Sequence, residues 1–200
     1  MPGADRPPLH FDPIAEAERQ WRAHGWADTA PAMAVVTSVM RAQQILLARA
    51  DAALRPYRLT FARYEVLMLL LFSRRGELPL GKIGQRLQVN PASVTNAVNR
   101  LEADGLVERL PNPADGRGTL ARITTEGRAR ADAATAVMNS VVFAGIGVDG
   151  PSVGQLFELL RGVRRAAGDF KDPDGRRSRA RDVALRTLSD AGDAAASPDR

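Results

Sequence analysis

Apolar positions fall at helical spacing through the first half of the chain, switch to strand-like spacing near residue 106, and return to helical spacing after residue 124. From Pro31 a long pattern runs through Met33, Val36, Val39, Met40, Ile45, Leu46, Leu47 and Leu54 and stops near Pro56. It predicts one long helix with more apolar surface than a single covered face requires. A second stretch, from about Phe61 to Ser73, is apolar nearly all round between Val66 and Phe72, so it is expected at the centre of the fold. Ahead of both, residues 1–12 are broken by Pro and Gly and predict an irregular arm, and Ile14 to Gly25 predicts a short helix.

Residues 80–127 carry the densest pattern: two short helices, then a two-stranded ribbon with a Gly-rich basic tip. The second helix opens with Asn90 as N-cap and Pro91 at the first helical position, where a missing N–H and a fixed φ are harmless. Val94, Val98 and Leu101 then stand at i, i+4 and i+7 on one face and leave Ser93, Thr95, Asn96, Asn99 and Arg100 elsewhere. Leu106, Val107 and Leu110 give a short apolar run, Pro111 to Gly118 cannot continue a strand, and Leu120 and Ile123 resume before Thr124 opens another helix. That order is a winged helix-turn-helix, mainly α with a small β wing. A helical face of small hydroxyl and amide groups plus an Arg can enter a major groove and hydrogen-bond base edges and phosphates. Arg117 at the hairpin tip suits a narrow minor groove, and Asp115 can orient it through a charge-assisted hydrogen bond. The predicted DNA-facing set is therefore Pro91, Ser93, Thr95, Asn96, Asn99, Arg100, Asp115 and Arg117.

The remaining pattern sets the expected organisation. Thr124 to Ser140 and Pro151 to Ala167 predict two more helices around the Gly-rich break AGIGVDG, and beyond Gly168 the chain turns polar and Arg-rich, with a short helix expected at Val183 to Leu188 and disorder at the end. This gives an arm and short helix over 1–30, a dimerisation helix over 31–56, a winged helix-turn-helix over 57–127, C-terminal dimerisation helices over 128–168 and a basic tail over 169–200. Excess apolar helical surface at both ends is most simply buried by a second copy, so a homodimer is expected; the alternative is a monomer with a larger helical core.

Composition narrows the chemistry. A formal net charge of +5 favours a polyanionic partner. Without cysteine, disulfides, thiolate catalysis and Cys-ligated zinc are excluded. His10 and His24 are the two histidines and lie in different segments, so no metal site is expected. No Ser-His-Asp set or phosphate-binding Gly loop stands at plausible spacing, so neither an enzyme nor a bound cofactor is expected. No apolar stretch approaches a membrane span and the first residues lack the apolar core of a signal peptide; a cytoplasmic protein is expected. A protein-interaction module built on a winged helix is the alternative, since fold does not fix function; acidic or apolar residues on the second helix would favour it.

The run Asp115-x-Arg117 followed by Ile123-Thr124-x-x-Gly127 resembles the wing signature of the MarR (multiple antibiotic resistance regulator) transcription factors. The pattern Pro91-x-Ser93-Val94-Thr95-Asn96-x-Val98-x-Arg100-Leu101-Glu102-x-x-Gly105-Leu106-Val107 is similar to that family's recognition helix and first wing strand. The likeness runs from about Ala32 to Asp169, with Ile123 where the family usually has Leu. It implies a homodimer on palindromic double-stranded DNA, most often a repressor, usually released by a small molecule.

Trp21, Trp26, Phe61, Tyr64, Glu65 and Arg109 are expected to line a cleft between dimer platform and winged domain. Trp21, Glu65 and Arg109 also look like three ligand-sensing residues of a urate-responsive subgroup, with Ala97 where that subgroup has an Arg and Glu65 where it has Asp. A planar aromatic or anionic effector is therefore expected at Trp21, Tyr64, Glu65 and Arg109, with Tyr64 added by the cleft and the other three implied by the likeness. The alternative is that the tryptophans staple the N-terminal helix to the body and that Glu65 and Arg109 form a structural ion pair.

Overall fold

A computed structural model describes residues 9–113 and 118–171. The chain divides into two compact units, one ending at Ile146 and the other beginning at Gly147. In the first unit, helix α1 (Pro13–Ala23) starts where the Asp12 carboxylate accepts the Ile14 N–H at 2.9 Å. It ends before Gly25, which takes φ +87°. Helix α2 (Ala30–Leu54) packs on α1, and of its 25 residues only Ala30, Ala50 and Leu54 are buried. A tight turn through Tyr57 and a left-handed Arg58 (φ 57°) then reverses the chain into helix α3 (Phe61–Phe72). As its pattern predicts, α3 is central: Tyr64, Val66, Leu67 and Leu70 are buried.

Strand β1 (Glu77–Pro79) leads into helix α4 (Leu80–Leu87) and helix α5 (Pro91–Ala103), and the wing follows as strands β2 (Val107–Pro111) and β3 (Thr119–Ile123). The sheet is antiparallel in the order β1-β3-β2, with Glu77 opposite Arg122 and Val107 opposite Ile123. Two expectations are corrected here. The ribbon has a third strand, β1, because Glu77-Leu78-Pro79 pairs with β3 across 45 residues and is too short to announce itself. Pro111 also belongs to β2, opposite Thr119: β2 lies at the sheet edge, where a residue without an N–H is tolerated.

Helix α6 (Thr125–Val137) returns against α3, with the Thr124 hydroxyl accepting the Gly127 N–H at 3.0 Å. It stops three residues before Ser140, where the expected helix ended, and continues as a wide turn over Met138–Val142 that buries Met138 and Val142. Leu54, Leu67, Leu70, Ile83, Leu101, Leu106 and Met138 are fully enclosed, so one core joins the end of α2 to the winged elements. In the second unit, helix α7 (Gly150–Ala166) is capped by the Asp149 carboxylate on the Ser152 N–H at 2.9 Å and buries no residue. The expected helix at Val183 to Leu188 lies outside the described residues. Among the described residues no single helix is long and apolar enough to cross a membrane.

Candidate nucleic-acid interface

The second helix of the pair, α5, is held at its start by Asn90, whose Oδ1 accepts the Ser93 N–H at 2.8 Å. Burial of Val94, Val98 and Leu101 leaves Pro91, Ser93, Thr95, Asn96, Asn99 and Arg100 exposed, which is the face the spacing predicts. The turn from α4 into α5 is tight: Gln88 is left-handed (φ 56°), the Val89 N–H bonds the Gly84 carbonyl at 3.1 Å, and a Cβ on Gly84 would meet that Val89 region and Val94 at 3.2 Å. These contacts fix the angle at which α5 is presented.

The wing is braced by charge. The Arg122 guanidinium on β3 reaches Glu77 on β1 at 2.7 Å and Glu108 on β2 at 3.4 Å, so one side chain ties all three strands. Its hydrogen bond to Glu77 holds its pKa above the ordinary arginine value. Arg109 on β2 pairs with Glu102 of α5 at 2.9 Å and ties the wing to the helix. Asp115 and Arg117, the predicted wing contacts, lie outside the described residues. At the base of the wing, Lys82 and Gln85 of α4 share a cavity of about 440 Å³ with Asn112 and Thr119. Sequence reasoning missed this group; the exposed Lys in the first turn of α4 was its available signal.

Two cavities flank α5. One of about 510 Å³ lies between α3 and the exposed face, lined by Thr60, Arg63, Ser93, Asn96, Ala97 and Arg100. The other, of about 480 Å³, gathers Asp51, Arg55, Arg58, Arg63, Arg100 and Asp104 at the α2–α3 corner. Asp104 caps the end of α5 and its carboxylate reaches Arg58 at 3.4 Å and Arg63 at 3.6 Å. Asp51 instead accepts the Phe61 N–H at 2.7 Å, satisfying the start of α3.

The four residues expected to bind an effector line neither cavity beside α5. Trp21 and Trp26 contact each other, with centroids 4.9 Å apart, and Trp26 stacks on His24 at 5.9 Å. Tyr64 is buried and shares a hydrogen bond with Thr135 at 3.0 Å. The ion pair of Glu65 with Arg109 is corrected: Arg109 is taken by Glu102, which is seven residues away in sequence and one strand away in space. Glu65 is half-buried, and burial pushes its carboxyl above the ordinary value. An acid with a higher pKa folded than unfolded adds stability below its unfolded value, and that contribution is lost as pH rises through the folded one. Glu65→Gln is therefore expected to raise the melting temperature near neutral pH and to flatten the decline of stability above about pH 4.5. Thermal melts of both proteins across that range check it; parallel profiles would refute it.

Among the described residues, no group of three or more Asp, Glu or His is placed to hold a metal ion. The MarR family model matches residues 59–119, from the start of α3 to β3. Sco5413, a MarR family transcriptional regulator from Streptomyces coelicolor, superposes with a TM-score of 0.65 and 54% identity over 71% of this chain and 99% of its own. The chain belongs to the MarR family. A second solved structure, CouR from Rhodococcus jostii RHA1 bound to p-coumaroyl-CoA, is 26% identical with a TM-score of 0.56, covering 64% of this chain and 90% of CouR. The HTH-type transcriptional regulator BilQ of Clostridioides difficile is 31% identical over 77 residues, 38% of this chain and 51% of BilQ. The chain thus spans about half the length of the curated relatives it matches.

Proposed function

We propose that this MarR family member is a homodimeric transcription regulator, a repressor, that binds palindromic double-stranded DNA in the cytoplasm and releases it on binding a small aromatic or anionic effector. The observation that carries the reading is the exposed face of α5, where Ser93, Thr95, Asn96, Asn99 and Arg100 present hydroxyl, amide and guanidinium groups and the one acidic residue of the helix, Glu102, is paired with Arg109. An interaction module would be expected to show the opposite character there. Regulation by a small molecule is supported by CouR, whose structure holds p-coumaroyl-CoA. The protein acts by binding; the relatives it is similar to are transcriptional regulators.

Two recognition helices related by a two-fold axis read half-sites centred about 10 base pairs apart, or a multiple of that. Selection from random duplexes is expected to return an inverted repeat; sites without inverted symmetry would sink the reading. Asn96→Ala, Arg100→Ala and Arg117→Ala are each expected to weaken operator binding by about 1–3 kcal/mol with folding intact. Arg100→Ala and Asn96→Ala should also relax preference at particular base pairs wherever they touch base edges. Gel-shift titrations at fixed salt measure this, and unchanged affinity for Arg117→Ala would remove the wing from the mechanism.

A further inference from the structure

We infer that the turn between α3 and β1, with the first turn of α6 beside it, docks an acidic segment of a partner protein that carries a large apolar side chain. This contact is separate from the proposed binding of DNA and effector and stands on the surface itself.

Helix α3 is the central helix, yet it ends on Phe72, which at 76% exposure is the most exposed large apolar side chain among the described residues. The chain beyond it is pinned. The Ser73 N–H bonds the Leu70 carbonyl at 3.1 Å, the Gly76 N–H bonds the Ser73 carbonyl at 3.1 Å, and the Gly76 carbonyl accepts the Ile123 N–H at 2.8 Å. Arg74 and Arg75 lie within that turn and are both exposed. Arg128 of α6 joins them: its guanidinium lies so close over Gly76, which takes φ +71°, that a Cβ there has no room.

No carboxylate answers these three cations. The side chains of Arg74, Arg75 and Arg128 have no hydrogen-bond or ion-pair partner among the described residues. Glu77 is taken by Arg122 and Glu126 by Arg130, and Asp132, one turn on from Arg128, forms no ion pair with it. Charge complementarity therefore calls for an acidic occupant, since guanidinium forks bind carboxylates two oxygens at a time. The exposed Phe72 calls for an apolar side chain to cover it, and Phe and Arg are types enriched where proteins meet. Exposed ion pairs are individually weak, so the three charges and the ring act together in a transient contact.

DNA fits this surface less well. Strand β3 runs from Thr119, beside the wing tip, to Ile123, which bonds the turn, so about 13 Å of strand separates the turn from the tip. The stacked bases of a duplex also offer Phe72 no free face. A second copy fits less well too, because the apolar strip available to it lies on α2.

The test uses the full chain and a fluorescein-labelled peptide, Glu-Asp-Glu-Leu-Phe-Asp-Glu-Leu-Glu-Asp, followed by fluorescence anisotropy. The wild type is expected to bind it, and to bind it equally well with operator present. Replacing the peptide's acids by their amides, or its Leu and Phe by Ser, should each weaken binding about tenfold. In the protein, Arg74→Gln with Arg75→Gln should weaken it about tenfold and Phe72→Ser several-fold. Arg19→Gln with Arg22→Gln removes the same charge from α1 and should change nothing. All these side chains are exposed, so ordinary melting curves are expected; should the Arg74 and Arg75 double variant fail to fold, Arg128→Gln serves in its place. No peptide binding, an equal loss in the Arg19 and Arg22 variant, or no effect of Phe72→Ser overturns the inference. Weaker and less salt-dependent operator binding in Arg74→Gln with Arg75→Gln, without peptide binding, would make the turn a DNA backbone contact instead. A halved mass for Phe72→Ser in light scattering would make it a contact between copies. Failure of the wild type to bind any selected duplex would refute the regulator reading, while the peptide titration would still decide this surface.

Discussion

Gly127→Ala is expected to destabilise the winged domain by about 3 kcal/mol, the upper end of what inserting an atom into a packed interior costs. Gly127 lies in the first turn of α6, where a Cβ would stand 2.1 Å from the Leu106 carbonyl oxygen and 2.9 Å from Ile123 Cγ1. The carbonyl cannot retreat freely: it accepts the Thr124 N–H at 3.1 Å, and the Leu106 side chain is fully buried. The Thr124 hydroxyl bonds the Gly105 carbonyl and the Gly127 N–H at once, clamping the start of α6 to the end of the α5–β2 turn. Backbone strain plays no part, because only space is missing at this glycine. Gly154→Ala makes the comparison: it sits inside α7 with open space where its Cβ would go, so the same substitution is expected to stabilise the helix by up to about 1 kcal/mol. Denaturant melts report both; an unchanged midpoint for Gly127→Ala would mean that α6 does not seat against Leu106.

How legible such features are depends on how far their causes lie apart in the chain. The whole of α5 is readable because its cap, its proline and its apolar face are written within thirteen residues. The same holds for α3, where a continuous apolar run admits only a central position. β1 is not readable: three residues ending in Pro79 form a strand only because β3 is there to receive them. The brace through Arg122 and the tie of Asp104 to Arg58 and Arg63 are equally silent, since a charged residue's partner 45 residues away leaves no periodic trace. Arg109 shows the same limit: the structural alternative to ligand binding paired it with Glu65, whereas Glu102, one helix end away, holds it at 2.9 Å. Short-range pattern therefore located the reading helix, and long-range charge pairing, visible only in three dimensions, sets how that helix and its wing are held.

Met40→Glu is expected to convert the dimer to a folded monomer and to abolish high-affinity operator binding. Met40 is 62% exposed in the protomer, and Val36 at 54% and Leu47 at 39% lie on the same side of α2 at helical spacing. Val35, Val39, Ile45 and Leu46 widen that exposed strip, so a helix of 25 residues carries far more apolar surface than its own unit covers. Burying one such side chain contributes about 1.5–3 kcal/mol, and several per protomer suffice to hold two copies together. A carboxylate at the centre of that surface, desolvated without a partner, costs about 3–5 kcal/mol, or at least a hundredfold in the dimerisation constant. The protomer itself loses little, because Met40 is not part of its core. A monomer presents one α5 to one half-site, and the second half-site no longer adds to affinity at high effective concentration. Sedimentation, melting and gel shifts on one preparation separate the steps: the expected outcome is a monomer with an ordinary melt and weak binding, whereas a Met40→Glu dimer with intact binding would place the interface away from the strip on α2.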